Sequence, residues 1–261
     1  MKSTYHFIVC LLYSIALCFG LSHDISAQEK PNNYIAEAKA FLTAIRNKEN
    51  TDIFVKAFAN CNIEQLSQQV ETDEQKLAFW LNMYNAYIQN ILTKNPEKYN
   101  DRGSFFKDKQ LNIGGKLFSF ADIEHGILRH SQHELFLGYI TRPFPDNTEK
   151  MLRVKKRNWH IHFALNCGAK SCPPVAIYDE SRIDEQLGAG AKKYLTAFTS
   201  YRKEENTAYV TSLFSWFRGD FNGIKGIKEI LLKFHLIPDT SVRLKTSEYD
   251  WTLDLGNFVD L

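Results

Sequence analysis

From Asn33 to Lys48 the apolar residues Ile35, Ala38, Phe41, Leu42 and Ile45 recur at the spacing of one helical face. Asp52 to Leu66 reads as a further helical hairpin. The periodicity is strongest from Asp73 to Lys94, where Leu77, Trp80, Leu81, Tyr84, Ile88 and Ile91 form one stripe. Thr72 or Asp73 is placed to cap this segment and Asn95-Pro96 to stop it, which predicts a central core helix. Asn82 and Asn85 fall off the stripe, where contacts to neighbouring loops are a better expectation than a role as oxyanion donors.

Beyond that helix the period shortens. Gln110 to Ile113 and Lys116 to Phe118 flank Gly114-Gly115, the two-residue turn of a β-hairpin. Ser119 then caps a helix, with Asp122 three residues on completing a capping-box-like pattern. His160 to Asn166 alternates as a strand would, placing His160, His162, Ala164 and Asn166 on one face. The segment Cys167 to Pro174 must be a loop, because two prolines and a glycine suit neither regular element. Helical spacing returns over Ile183–Phe198 and Ile224–Phe234, with a strand over Ala208–Thr211. Strands and helices mix without regular alternation, so the expected class is α+β: a helical N-terminal part and a small mixed or antiparallel sheet packed against a long central helix.

The first residues change the picture of where the protein works. Lys2 precedes an apolar run from Phe7 to Gly20, and small residues follow at Ser26-Ala27. This is the layout of a secretory signal, with cleavage expected near Ala27 and the mature chain, 28–261, forming a single α+β domain. The run, about 14 residues, is short for a bilayer span, so no integral membrane protein is expected and the compartment is periplasmic or extracellular. Cys18 is not expected to carry a lipid, because Leu17 stands where a small residue should precede a lipidated cysteine. With 32 basic against 30 acidic residues, and one short basic run at Arg153–Arg157, a nucleic-acid role has no support. Loss of the signal would leave Cys61, Cys167 and Cys172 in a compartment where disulfides persist.

Four blocks then stand out: Phe79-Trp80-Leu81-Asn82-Met83-Tyr84-Asn85-Ala86, Ile123-Glu124-His125-Gly126-Ile127-Leu128-Arg129, His162 to Pro173, and Phe214-Ser215-Trp216-Phe217-Arg218-Gly219-Asp220-Phe221. In this order they resemble the family named for domain of unknown function 547, over roughly Glu71 to Phe221. Tyr249-Asp250-Trp251 also suits its bacterial secreted members. The resemblance implies no defined activity. Some plant members join this domain to a coiled coil and bind partners, and no such coiled coil is present in this sequence.

The residues themselves nominate a site. On a wheel of 100° per residue Glu124 falls among Phe120, Ile123, Ile127 and Leu128, so it should point inward, either as a bonded anchor or as an acid that orients a histidine. His125 falls on the polar arc beside Asp122 and Arg129, a position that faces either a cleft or water. Cys167, at the end of the expected strand, has three readings: a nucleophile served by a histidine, a disulfide partner of Cys172, or an inert core thiol. His160 and His162 with Cys167 and Cys172 offer zinc-type donors, but the spacing fits no standard structural-zinc pattern, so neither metal nor cofactor is expected. Two functions follow. One is a thiol hydrolase or transferase acting on a cell-envelope amide or ester, with Cys167 as nucleophile, His125 or His162 as base, and Glu124 orienting it. The other is a non-catalytic envelope domain that binds a peptide or protein partner. A Cys167–Cys172 disulfide would favour the second.

Overall fold

In the computed structural model, which describes residues 33–261, the N-terminal part is helical: α1 (Tyr34–Arg46), α2 (Asp52–Ala59), α3 (Ile63–Gln69) and α4 (Asp73–Lys94). The expected signal segment and its cleavage point lie outside the described residues. Thr72 is the N-cap of α4: its hydroxyl accepts from the Gln75 N–H, while the Gln75 side chain accepts from the Thr72 N–H. The helix ends at Asn95, and Pro96 opens a 3-10 turn, Pro96–Asp101.

Helix α4 is buried nearly all round through its middle, so its polar residues need internal partners. Asn82 accepts from the Tyr178 N–H at 2.9 Å and donates to the Tyr178 carbonyl at 2.8 Å. Asn85 accepts from the Asn166 N–H at 2.9 Å and donates to the Ala164 carbonyl at 3.0 Å. One helical turn on, Gln89 donates to Asn166 Oδ1 and accepts from the Gly256 N–H. These side chains act as backbone clamps that fix the irregular segment 164–178 along the helix, in line with the expected contacts to neighbouring loops.

After α5 (Arg102–Lys107), β1 (Leu111–Ile113) and β2 (Lys116–Phe118) form the expected hairpin, with Gly114 and Gly115 at φ of 61° and 73° supplying the left-handed turn. Phe118 packs against Trp80 of α4, ring centroids 5.9 Å apart. The C-terminal part follows α6 (Asn147–Leu152) and α7 (Ile183–Ala197) with β3 (Ser200–Arg202), β4 (Thr207–Val210), α8 (Leu213–Trp216), α9 (Gly223–Lys233) and β5 (Arg243–Thr246). β4 is the middle strand, antiparallel to β3 and parallel to β5. The class is α+β. A second apolar cluster, including Ala208, Val210, Phe214, Phe221, Ile227 and Leu231, fills the space among this sheet, α8 and α9. Among the described residues no helix is long and apolar enough to cross a membrane.

Two local expectations are corrected. His160–Asn166 is not a strand: Trp159–Phe163 is a 3-10 helix capped by Asn158, whose side chain accepts from the His160 N–H. Every residue from Ile161 to Asn166 is buried, so the alternation of large and small side chains did not mark two faces. The second difference is in the helix after Ser119. Its cap is as expected, with Asp122 accepting from the Ser119 N–H at 2.7 Å and the Ser119 hydroxyl accepting from the Asp122 N–H at 3.0 Å. Asp122–Leu128, however, is wound as a π-helix, with the Arg129 N–H reaching the Glu124 carbonyl five residues back at 2.9 Å.

Candidate functional site

The π-helix brings consecutive residues Glu124 and His125 together at the wall of one cleft, which an α-helical wheel would have separated. The two side chains are about equally covered, and Glu124 Oε1 lies 3.7 Å from His125 Nδ1. π-turns of this kind often occur at functional positions because they displace one side chain from the regular helical path. The cleft has a volume of about 450 Å³ and is lined by Glu124, His125, His162 and Cys167 alike. Trp216, Phe217, Tyr249 and Trp251 supply its aromatic wall, and Arg102 and Lys107 stand at its edge. All four residues nominated from the sequence therefore meet in one place. Their connections differ from those expected.

Of the two settings open to His125, it takes the cleft. Its Nδ1 is 2.8 Å from Arg129 Nη1. A guanidinium only donates, so Nδ1 must be the acceptor and the ring proton of the neutral imidazole belongs on Nε2. Burial, reinforced by the charge on Arg129, pushes His125 down to about 3, so the ring is neutral at physiological pH. Glu124 behaves oppositely. Burial pushes it up to about 7, with Arg129 opposing and Asp220 adding to the rise. The Tyr84 hydroxyl is 3.5 Å from Glu124 Oε2, too long to anchor a carboxylate firmly.

His162 is committed elsewhere. Its Nε2 donates to Asp220 Oδ2 at 2.7 Å, and its ring stacks on Phe217 with centroids 4.0 Å apart. Burial pushes His162 down to about 4 against the pull of Asp220. Asp220 also accepts from Arg129 Nε at 2.7 Å and Arg157 Nη1 at 3.1 Å. Burial raises its carboxyl, but the His162 and Arg129 hydrogen bonds prevail and hold it well below the usual carboxylate range. The Arg129 guanidinium also lies over Phe217, 4.7 Å from its ring centroid.

Asp220, which the sequence alone does not nominate, and Arg129 together hold the histidines of the cleft, and both stand in the quoted blocks. The available signal was Gly219-Asp220. A Cβ on Gly219 would lie 2.6 Å from the Gly138 carbonyl carbon, and one on Gly138 would run into the Asp220 carboxylate, so the two glycines allow the backbone approach that seats the acid.

Cys167 is bonded to Cys172, with Cα atoms 6.0 Å apart. Its sulfur therefore carries no free thiol in this state, and the hydroxyl of Tyr249 is 3.5 Å away. The remaining cysteine of the described residues, Cys61, is a free thiol in the α2–α3 connection, raised by burial. Among the described residues no cluster of three or more His, Cys, Asp or Glu side chains is arranged to hold a metal ion.

No curated protein and no solved structure matches the chain. The model of one family matches residues 68–195, a span that holds Glu124, His125, Arg129, His162 and both bridged cysteines but ends before Asp220, Trp216 and Tyr249. Over residues 68–195 the chain resembles the family described as "Protein of unknown function, DUF547", a match that takes in the first three sequence blocks and stops short of the fourth.

Proposed function

We propose that the cleft is a binding site for a peptide or protein segment of the cell envelope, one presenting an apolar side chain beside an acidic group. The observation that carries this reading is the bonded state of Cys167 within an aromatic cleft. A thiol hydrolase needs a free sulfur and a basic histidine beside it. Here the sulfur is in a disulfide, His125 Nδ1 is taken by Arg129 and His162 Nε2 by Asp220.

What remains suits recognition. Trp216 and Trp251 stack at 5.5 Å and Tyr249 packs against both, giving a broad amphipathic wall for an apolar side chain. The Arg102 guanidinium lies 5.0 Å from the Trp251 ring centroid, so a cation borders that wall and suits a carboxylate. His125, neutral with its proton on Nε2, supplies a donor for a peptide carbonyl. Glu124, close to half-ionised at neutral pH, can accept from an amide or donate to a carbonyl. The envelope location rests on the signal-like N-terminus.

Calorimetric titration of the mature chain with short peptides that carry a free C-terminal carboxylate behind an aliphatic or aromatic residue tests this proposal. Saturable binding is expected, weakened about tenfold or more in both Trp251→Ala and Arg102→Ala, the loss typical of a central aromatic or arginine contact. Absence of binding across the panel, or affinity unchanged in both variants, would remove the reading.

A further inference from the structure

The two sulfurs of the cleft disulfide are not equivalent. Cys167 is partly exposed and lines the cleft, whereas Cys172 is 2 % exposed and sits behind it. Three donors converge on Cys172 Sγ: the backbone N–H of Cys167 at 3.1 Å, the backbone N–H of Ala169 at 3.3 Å and the Tyr249 hydroxyl at 3.2 Å. Among the described residues, Cys167 Sγ has the longer Tyr249 contact alone, at 3.5 Å.

We propose that this bridge is a thiol–disulfide exchange site in which Cys167 is the sulfur attacked from the cleft and Cys172 is the sulfur that leaves. An incoming thiolate, RS⁻, forms a bond to Cys167 Sγ as the Cys167–Cys172 bond breaks. The bonding pair departs on Cys172, giving a Cys167–S–S–R mixed disulfide and a Cys172 thiolate. Exchange is faster when the departing sulfur bears its charge more easily, and hydrogen bonds to the charged form provide that. Burial keeps Tyr249 protonated well above its ordinary range, so its hydroxyl remains available as a donor. A second RS⁻ attacks the R-bearing sulfur of the mixed disulfide, releasing RSSR and a Cys167 thiolate. The two thiolates supply the two electrons that reduce the bridge.

The donors belong to a frame that does not depend on the S–S bond. The segment 168–171 pairs with the chain near the C-terminus: Lys170 N–H to the Thr252 carbonyl, Ser171 N–H to the Asp250 carbonyl and Asp254 N–H to the Gly168 carbonyl. Asn166, clamped by Asn85 and Gln89, holds the loop from its other side by donating to the Pro173 carbonyl and accepting from the Gly168 N–H. Cys172 is thereby kept beside Cys167 after opening, so its thiolate can attack Cys167 in the mixed disulfide, expel RS⁻ and restore the bridge. The partner is of one chemical class, a thiol small or extended enough to enter the cleft. This inference stands apart from peptide binding, since it concerns the covalent chemistry of the wall.

The test uses glutathione and the mature protein. Oxidised wild-type chain, exposed briefly to reduced glutathione, quenched with iodoacetamide and mapped by mass spectrometry, should carry glutathione on Cys167 and the alkyl group on Cys172. With oxidised glutathione, Cys172→Ser should accumulate a stable adduct at Cys167, while Cys167→Ser should be modified at Cys172 at least tenfold more slowly. Tyr249→Phe should slow opening of the wild-type bridge several-fold. Glutathione found on Cys172 in the wild-type map, or equal rates for the two serine variants, would overturn the assignment. The wild-type map decides the matter even where a variant fails to fold.

Discussion

His162 and Asp220 are 58 residues apart in sequence and 2.7 Å apart in the fold, with the Nε2–H of one donated to the carboxylate of the other. The same carboxylate holds Arg129, so one acid from the last sequence block secures a residue from each of the second and third. Both Arg129 and Asp220 are nearly inaccessible, at 1 % and 3 % side-chain exposure. Removing one partner strands the other's charge out of water. Asp220→Ala should therefore cost about 3–5 kcal/mol of stability, measured by urea denaturation. A loss near zero would show that the ion pair is not formed in solution.

Acid should destabilise the fold before ordinary carboxylates titrate. Burial lowers His125 to about 3 and His162 and His160 to about 4 in the folded chain, so between those values and an unfolded value of about 6.5 the unfolded chain binds more protons. Stability from these neutral rings is complete above about 6.5 and is lost as pH falls through the window down to about 4. The depressed carboxyl of Asp220 extends the loss below about 3.9. Glu124, raised to about 7, acts in the opposite sense: it favours the fold below its unfolded value and that contribution is lost as pH rises through 7. Thermal unfolding followed from pH 7 to 4 should show a falling midpoint, and replacement of His162 by Gln should flatten the fall. An unchanged midpoint would contradict the neutral assignment.

Glu124 should titrate near 7, visible as a carboxyl carbon shift in NMR of the labelled chain. Because its ionised form is the disfavoured one, Glu124→Gln should be neutral or stabilising at pH 8, and Glu124→Ala should cost about 1–3 kcal/mol through lost packing and unpaired neighbours. A midpoint near 4.5 with a destabilised Gln variant would place the carboxylate in a solvated, bonded setting instead.

The N-terminus predicts export. Edman sequencing of the protein recovered from an expressing bacterium should begin near Gln28, whereas a retained Met1 in the cytoplasmic fraction would refute the signal assignment.

Much of the scaffold is legible in the sequence, as are four residues that the fold brings to one cleft, but how they connect is not. The stripe on α4, the Gly114-Gly115 hairpin and the Ser119–Asp122 cap are local patterns whose physics lies within a few residues, and each formed as read. Glu124 was placed inward by a 100° wheel, yet it reaches the cleft on a π-helix; an extra residue per turn leaves no mark in a seven-residue pattern. His160–Asn166 carries a strand-like alternation without being a strand, because from Ile161 onward it is buried on every side and has no exposed face for polarity to report. The pairing of Asp220 with His162 and Arg129 is not legible in sequence, since it joins residues 58 and 91 positions apart.

The state of the Cys167 sulfur decides between a binding cleft and a thiol enzyme. Alkylating the protein without reductant as it leaves its native compartment, then mapping its peptides, reads that state directly. Modification of Cys61 alone, with Cys167 and Cys172 recovered as one linked peptide, is the result expected. Alkylation of Cys167 in the native protein, with Cys172 unlinked, would contradict the account and restore the thiol-hydrolase reading.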